Sequence, residues 1–229
     1  MNILLLGYGK MGKAIEAIAL QRGHVIMGKA DNEEEKNSLD FKVKPDVAIE
    51  FSMPESAVSN MKFSMDRDIP IVCGTTGWLS HKKEVEDYCL AHNATLFYTS
   101  NFSLGVNIFF KVNEYLAKLM NGHTEYTISF AETHHTQKKD SPSGTAITLA
   151  QGIIKNLRQV KEWTNEATTK SETLVINSFR VDPAPGIHTV KYRSPIDDIE
   201  ITHTAHSRQG FALGAVMVAE WVKDKKGVL

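Results

Sequence analysis

Along the first hundred residues, short aliphatic runs alternate with stretches whose apolar positions recur every three to four residues. The runs at 3–6, 25–30, 46–51, 69–73 and 95–99 predict strands, and the stretches at 11–21, 57–66 and 82–92 predict helices. Strands without polar alternation are buried on both faces, and helices between them suit right-handed crossovers. A Rossmann-like, doubly wound parallel sheet is therefore expected, with ligands at the carboxyl ends of its strands. After Asn101 the pattern changes. A long amphipathic helix at about 106–120 is followed by period-two alternation at 126–134, 173–181 and 199–206, which predicts antiparallel strands of a second, α+β domain. A helix at 147–157 and a last helix at 211–223 complete the set, the latter returning to the first domain. The fold class is thus α/β, with one domain over 1–103 plus 208–229 and another over 104–207. Residues 155–171 read as a mobile polar connection, and 31–44 as a solvated loop or poor helix.

Composition narrows the classes of function. The 26 Lys and Arg nearly cancel the 27 Asp and Glu, and a net charge of -1 provides no general field for nucleic acid or an anionic membrane. Cys73 and Cys89 lack a companion cluster of Cys or His, so reduced thiols in a cytoplasmic protein are expected, with neither a disulfide framework nor a metal site. The apolar run after Met1 stops at Gly7 without a cationic leader, which reads as a strand and not a signal peptide. No stretch reaches the roughly 18 apolar residues that span a bilayer.

The first chemical signal is Gly7-Tyr8-Gly9-Lys10-Met11-Gly12, a G-x-G-x-x-G placed after a strand and at the start of a helix. Gly7 serves the tight turn, Gly9 lets backbone approach a pyrophosphate, and Gly12 lets helix and sheet pack closely. Asp31 lies 19 residues beyond Gly12, at the end of the second strand, where a carboxylate accepts hydrogen bonds from ribose hydroxyls. Asp31 favours NAD, whereas Lys10 can neutralise a 2′-phosphate, so both NADH and NADPH stay open. Gly74-Thr75-Thr76-Gly77 and Ser100-Asn101-Phe102 follow strands on the ligand-bearing edge. They can approach the nicotinamide and its ribose, with Phe102 flanking the ring; ordinary turn chemistry is the competing reading.

The second signal is residues 132–146, which combine Glu132, His134, His135, Lys138, Lys139 and Asp140 with the loop Ser141-Pro142-Ser143-Gly144-Thr145. Ser141 and Ser143 are good N-caps and Pro142 suits a first helical turn. The N–H groups of Ser143, Gly144 and Thr145 are then expected to hold a carboxylate, with Lys138 and Lys139 adding charge. His134 or His135 can pass the proton that must accompany a hydride. A metal site is not expected, because adjacent strand residues face opposite ways and no third ligand is spaced to help. The competing reading is a polar loop with solvated lysines. His203 and His206 read as structural, while Arg208 is placed to meet an anion.

Taken together, residues 7–12, 73–77, 100–107 and 132–146 resemble the dihydrodipicolinate reductase (4-hydroxy-tetrahydrodipicolinate reductase) family in order and spacing. The pattern E-x-H-H-x-x-K-x-D-x-P-S-G-T-A over 132–146 is the most specific part. The resemblance implies an NADPH- or NADH-dependent reduction of a cyclic imine dicarboxylate with loss of water, in bacterial diaminopimelate and lysine biosynthesis. It implies His134 as proton donor and acceptor, Lys138 as second proton donor, His135 as a substrate contact, and Gly144 and Thr145 as the grip on a carboxylate. It also implies a substrate-binding second domain through which a homotetramer is built. Tyr8 stands where the family's phosphate loop commonly has a further glycine, Asn32 and no basic residue follows Asp31, and the stretch between Asp31 and Pro45 is short; use of both cofactors is the expectation. Another nicotinamide oxidoreductase of amino dicarboxylates would lack the paired histidines followed by Lys138, and a redox-sensing NAD(P)-binding protein would lack the proton donors.

Overall fold

The computed structural model describes residues 1–229. Its elements are β1 (Asn2–Leu6), α1 (Lys10–Gln21), β2 (Val25–Ala30), α2 (Glu33–Asn37), β3 (Val47–Glu50), α3 (Pro54–Met65), β4 (Ile71–Cys73), α4 (Lys82–Ala91), β5 (Thr95–Tyr98) and α5 (Leu104–Met120). There follow β6 (Thr127–His134), α6 (Gly144–Asn156), β7 (Glu162–Thr164), β8 (Thr173–Arg180), β9 (Gly186–Arg193), β10 (Asp198–Ala205), α7 (Gln209–Val222) and β11 (Gly227–Val228). The chain separates into two compact units, Met1–Leu104 with Arg208–Leu229, and Gly105–Ser207.

The first unit is built on a parallel sheet of order β11-β5-β4-β3-β1-β2. Consecutive aliphatic residues in β1 serve both faces, as the lack of alternation requires. Leu4 and Leu6 pack with Ala57 and Met61 of α3 and Val85 and Cys89 of α4. Ile3 and Leu5 pack with Ile15 and Ala19 of α1 and Ala212, Ala215 and Ala219 of α7. Small residues on α7 let that helix lie close to the sheet. Within 31–44 the chain forms α2, capped by the Asn32 side chain, and buries Lys36 against Glu33, Ser59 and Asn60.

The second unit carries the sheet β10-β9-β6-β8-β7. Its strands are not all antiparallel: β6 runs parallel to β8 and β8 to β7, while β9 is antiparallel to β6 and β10. Period-two alternation reports a half-buried strand and not its direction, and α6 supplies the crossover that makes β6 and β8 parallel. Strand β9 is absent from the sequence-based expectation, and β7 lies inside the stretch expected to be a mobile connection. Phe130, Ile176, Val190 and Tyr192 face Leu149, Ala150 and Ile153 of α6 to form the core. No helix is long and apolar enough to cross a membrane.

Candidate active site

In the first unit the glycine fingerprint divides into two kinds of position. Gly7 has φ of 91° and a Cβ there would lie 2.1 Å from the Phe51 carbonyl oxygen. A Cβ on Gly12 would lie 2.4 Å from the Gly7 carbonyl oxygen, so turn and helix are in backbone contact. Gly9, the N-cap of α1, has nothing within 4 Å of the Cβ position. No side chain caps α1 and no acid stands in its first turn, where Lys10 and Met11 are the first residues. A helix start with its N–H dipoles uncapped, a cation beside it and an open cradle at Gly9 fits a pyrophosphate.

At the neighbouring strand end, the Tyr8 N–H donates to Asp31 Oδ1 at 2.7 Å. The Tyr8 hydroxyl donates to Glu16 and accepts from Lys29 at 3.1 Å, while Lys29 pairs with Glu16 at 2.5 Å. Lys29, chiefly, holds the Glu16 carboxyl below its usual range. Glu33, Glu34 and Glu35 occupy the first turn of α2 directly after Asp31 and Asn32. The charge here is acidic, and Lys29 is already neutralised.

The other proposed cofactor residues are placed less uniformly. A Cβ on Gly74 would lie 2.1 Å from the Phe51 ring, and Thr75 Oγ1 accepts from the Ser52 N–H at 2.8 Å, so both brace the carboxyl end of β3. Thr76 and Ser100 are exposed, and Asn101 Oδ1 accepts from the Ser103 N–H at 2.9 Å. The expectation that the Phe102 side chain flanks a bound ring is corrected. Its ring is buried in the core, 5.4 Å from that of Phe51 and 5.9 Å from that of Phe97.

In the second unit, strand register builds a polar cluster at one end of the face that is otherwise apolar. Phe130, Glu132 and His134 share the buried side of β6. Glu132 stands opposite Ser178 on β8 and opposite His188 on β9, and His134 stands opposite Arg180. Both Glu132 oxygens are engaged: Oε1 accepts from the Ser143 N–H at 3.0 Å and the Ser178 hydroxyl at 2.8 Å, and Oε2 accepts from the Ser143 hydroxyl. Burial pushes the Glu132 carboxyl up, but His188, Ser143 and Ser178 together outweigh it and hold the group ionised well below the usual range. His134 Nδ1 lies 3.4 Å from Glu132 Oε2, and its ring meets that of His188 edge-on at 5.1 Å. Burial depresses His134 to about 4, with His188, Lys138 and Arg180 acting the same way and Glu132 opposing them. A histidine so placed is neutral near pH 7.

Lys138 is partly buried and pairs with Asp140 at 2.8 Å, which together with its charge outweighs burial and lowers the Asp140 carboxyl. Arg180 ties down the segment that carries Lys138, donating to the carbonyls of Lys138 at 3.4 Å and Asp140 at 2.6 Å. His135, just past the end of β6, is half-buried, and its carbonyl accepts from the Lys138 N–H at 3.1 Å. Ser143 caps α6 through the Ala146 N–H at 3.1 Å, and Pro142 precedes the cap instead of entering the first turn. The expectation that Ser143 offers its N–H to an anion is also corrected, because Glu132 takes it and the residue is buried. Gly144 opens α6, with nothing within 4 Å of a Cβ, and Thr145 follows it. A carboxylate can therefore approach the helix start at Gly144.

The donor atoms of Glu132, His134 and His188 lie within 4.8 Å of one another, a spacing that a metal could use. The serine hydrogen bonds to both Glu132 oxygens give that carboxylate a different set of partners. His188, Ser178 and Arg180 escaped sequence reasoning, and Glu132 was noticed without a role. The alternation Gly186, His188, Val190, Tyr192 was the available signal for β9. His203 on β10 packs against Phe109 of α5 in a tilted arrangement, 5.9 Å between ring centroids, as a structural histidine.

Family models described as dihydrodipicolinate reductase, N-terminus, and dihydrodipicolinate reductase, C-terminus, match residues 1–102 and 105–229. A 4-hydroxy-tetrahydrodipicolinate reductase from Christiangramia forsetii is 49% identical over 229 residues, covering 100% of this chain and 95% of that protein. One from Methanocaldococcus jannaschii is 34% identical, covering 97% of this chain and 77% of that protein. Among solved structures, a dipicolinate-bound dihydrodipicolinate reductase from Paenisporosarcina shares the fold. Its TM-score is 0.77 at 19% identity, covering 100% of this chain and 97% of that one.

Proposed function

The chain belongs to the dihydrodipicolinate reductase family, and from that premise we propose how its residues divide the family's reaction. The protein is an NAD(P)H-dependent oxidoreductase that reduces 4-hydroxy-tetrahydrodipicolinate to tetrahydrodipicolinate with loss of water, in diaminopimelate and lysine biosynthesis. Bound nicotinamide supplies the hydride. The chain itself must hold a dicarboxylate, keep it oriented and pass one proton.

Residues 1–103 with 208–229 hold the cofactor and 104–207 the substrate. The fingerprint Gly7, Tyr8, Gly9, Lys10, Met11 and Gly12 receives the pyrophosphate, Asp31 the adenosine ribose, and Gly74, Thr75, Thr76, Ser100, Asn101 and the Phe102 backbone the nicotinamide end. NADH is preferred over NADPH, because a 2′-phosphate near Asp31 would meet the acidic start of α2 while Lys29 is committed to Glu16. Gly144 and Thr145 at the start of α6 grip one substrate carboxylate, with Ser143 fixing the helix end, and His135 and Lys138 make further contacts. His134 is neutral at rest. A bound dianion favours its protonated form, so it gains a proton on binding and returns it to the substrate; Lys138 is the second donor. The observation that carries this reading is the buried Glu132, which joins His134 to Ser143, the cap of the carboxylate-binding helix. Assembly into a homotetramer through the second unit, in the cytoplasm, completes the proposal.

The test is oxidation of NADH and of NADPH, followed separately with freshly generated cyclic substrate, together with competition by 2,6-pyridinedicarboxylate. Substrate-dependent oxidation with competitive inhibition is expected. Inhibition that is not competitive would remove the Gly144 cradle, and no oxidation with either cofactor would remove the whole reading.

A further inference from the structure

Glu132 touches His134, His188, Ser143, Ser178 and Arg180, at the centre of the proposed substrate site. Its Oε2 lies 3.4 Å from His134 Nδ1 and 3.6 Å from His188 Nε2, and it accepts from the hydroxyl of Ser143, the cap of α6. Its Oε1 lies 3.6 Å from Arg180, which holds the carbonyls of Lys138 and Asp140. Proton source, carboxylate grip and the Lys138 segment thus meet at one buried carboxylate. Apart from His134, two residues on, these ties are not local in sequence: Glu132 lies 46 residues from Ser178 and 11 from Ser143.

Two further observations orient the His134 ring. Its Nδ1 is buried without a hydrogen-bond partner, a costly state for a polar atom. The acceptor standing 3.4 Å away is Glu132, and such bonds commonly lengthen in a free enzyme and close in the substrate complex. On the other side of the ring, Nε2 lies over Gly186: a Cβ there would come within 3.2 Å of it. The absence of a side chain at 186 leaves Nε2 the room to work.

We propose that Glu132 is the positioning residue of this reaction: it holds the His134 proton on Nδ1, leaves Nε2 as the atom that exchanges protons with the substrate, and stabilises the imidazolium while that exchange occurs. The proposal rests on the assignment of His134 as proton donor. The charged and titratable groups facing His134 are Glu132 on β6, His188 on β9, Arg180 on β8 and Lys138 after β6. Glu132 is the member of that set that favours the cation, and its carboxylate does so without touching the substrate.

The wild-type protein provides a measurement free of folding questions. Imidazole nitrogen-15 NMR at pH 7.5, with His134 assigned by difference from His134→Asn, is expected to show the Nδ1–H tautomer. An Nε2–H tautomer overturns the proposal, even in a fully active reductase. In Glu132→Gln the His134 titration midpoint is expected to fall by at least about 1 pH unit, the effect of losing an opposite charge at this range. The kcat is expected to fall by roughly 10- to 100-fold, with NADH affinity unchanged. Glu132→Asp restores the midpoint in large part. A lower kcat with an unmoved His134 midpoint marks a purely structural residue and also overturns it. Loss of the reductase reading itself would appear differently, as wild-type protein without substrate-dependent oxidation.

Discussion

Replacing Gly9 by alanine separates cofactor binding from folding. The position has φ of -74° and ψ of -152°, and nothing lies within 4 Å of the Cβ that alanine adds. The folded state gains no clash, while the unfolded chain loses freedom worth about 0.4–1 kcal/mol. For a chain of this size that raises Tm by about 1–4 °C. The methyl group occupies the space through which a pyrophosphate reaches the first turn of α1. Losing one hydrogen bond to a charged oxygen costs about 1.5–3 kcal/mol, or about 10- to 150-fold in Kd. Thermal unfolding and NADH titration of the same preparation measure both quantities. Alanine at Gly12 or Gly7 is expected to behave oppositely, since its Cβ would sit 2.4 or 2.1 Å from a backbone oxygen and must displace the turn. A Gly9→Ala protein that is as stable as wild type and binds NADH equally well would show that no phosphate approaches there.

Three other outcomes follow from the structure. His134→Ala and Lys138→Ala should each lower kcat by roughly two to four orders of magnitude without weakening NADH binding, and wild-type turnover in either variant would end its assignment. The ratio of kcat/KM for NADH over NADPH should be about 5–30, the effect of like charge costing on the order of 1–2 kcal/mol near Asp31; Asp31→Ser should shrink it, and an unchanged ratio would place the discrimination elsewhere. In the first unit, Glu220 is held at about 2 by Arg22 and then His24, both at 2.7 Å. Its pKa is therefore lowered, so its stabilisation is full above the unfolded value near 4.5 and disappears as pH falls towards about 2. Allowing for solvent screening of this partly exposed pair, Glu220→Gln should cost about 1–2 kcal/mol in urea unfolding at pH 7 and much less at pH 3. An equal cost at both pH values would rule out the ion pair as its source.

The parallel sheet was legible because Ile3 to Leu6 in β1 and Val47 to Ile49 in β3 are uninterrupted aliphatic runs, a pattern that burial on both faces imposes. The fingerprint was legible because backbone crowding at Gly7 and Gly12 admits no side chain. The second unit was only half legible. Alternation identified β6, β8 and β10 but carries no information on which strands are neighbours, and β9 was overlooked although His188 is in phase with Val190 and Tyr192. The cross-strand pairs Glu132–Ser178 and Glu132–His188 are facts of register, which local periodicity does not encode. Likewise, the aromatic Phe102 and the hydroxyl-bearing Ser143 carried plausible chemistry in sequence, and only burial reveals that the first belongs to the core and the second to Glu132.

The face of β6 that turns from Phe130 to Glu132 and His134 has a consequence for portability. The stretch from 132 to 146 contains the residues most easily singled out, yet only Ser143 among the partners that keep its carboxylate ionised lies within it; Ser178 and His188 come from β8 and β9. Grafted as a peptide or loop onto another scaffold, that stretch would carry the reacting groups without their electrostatic setting. The smallest transferable piece of this chemistry is a sheet with β6 flanked by β8 and β9, so the site moves between proteins as a fold or not at all.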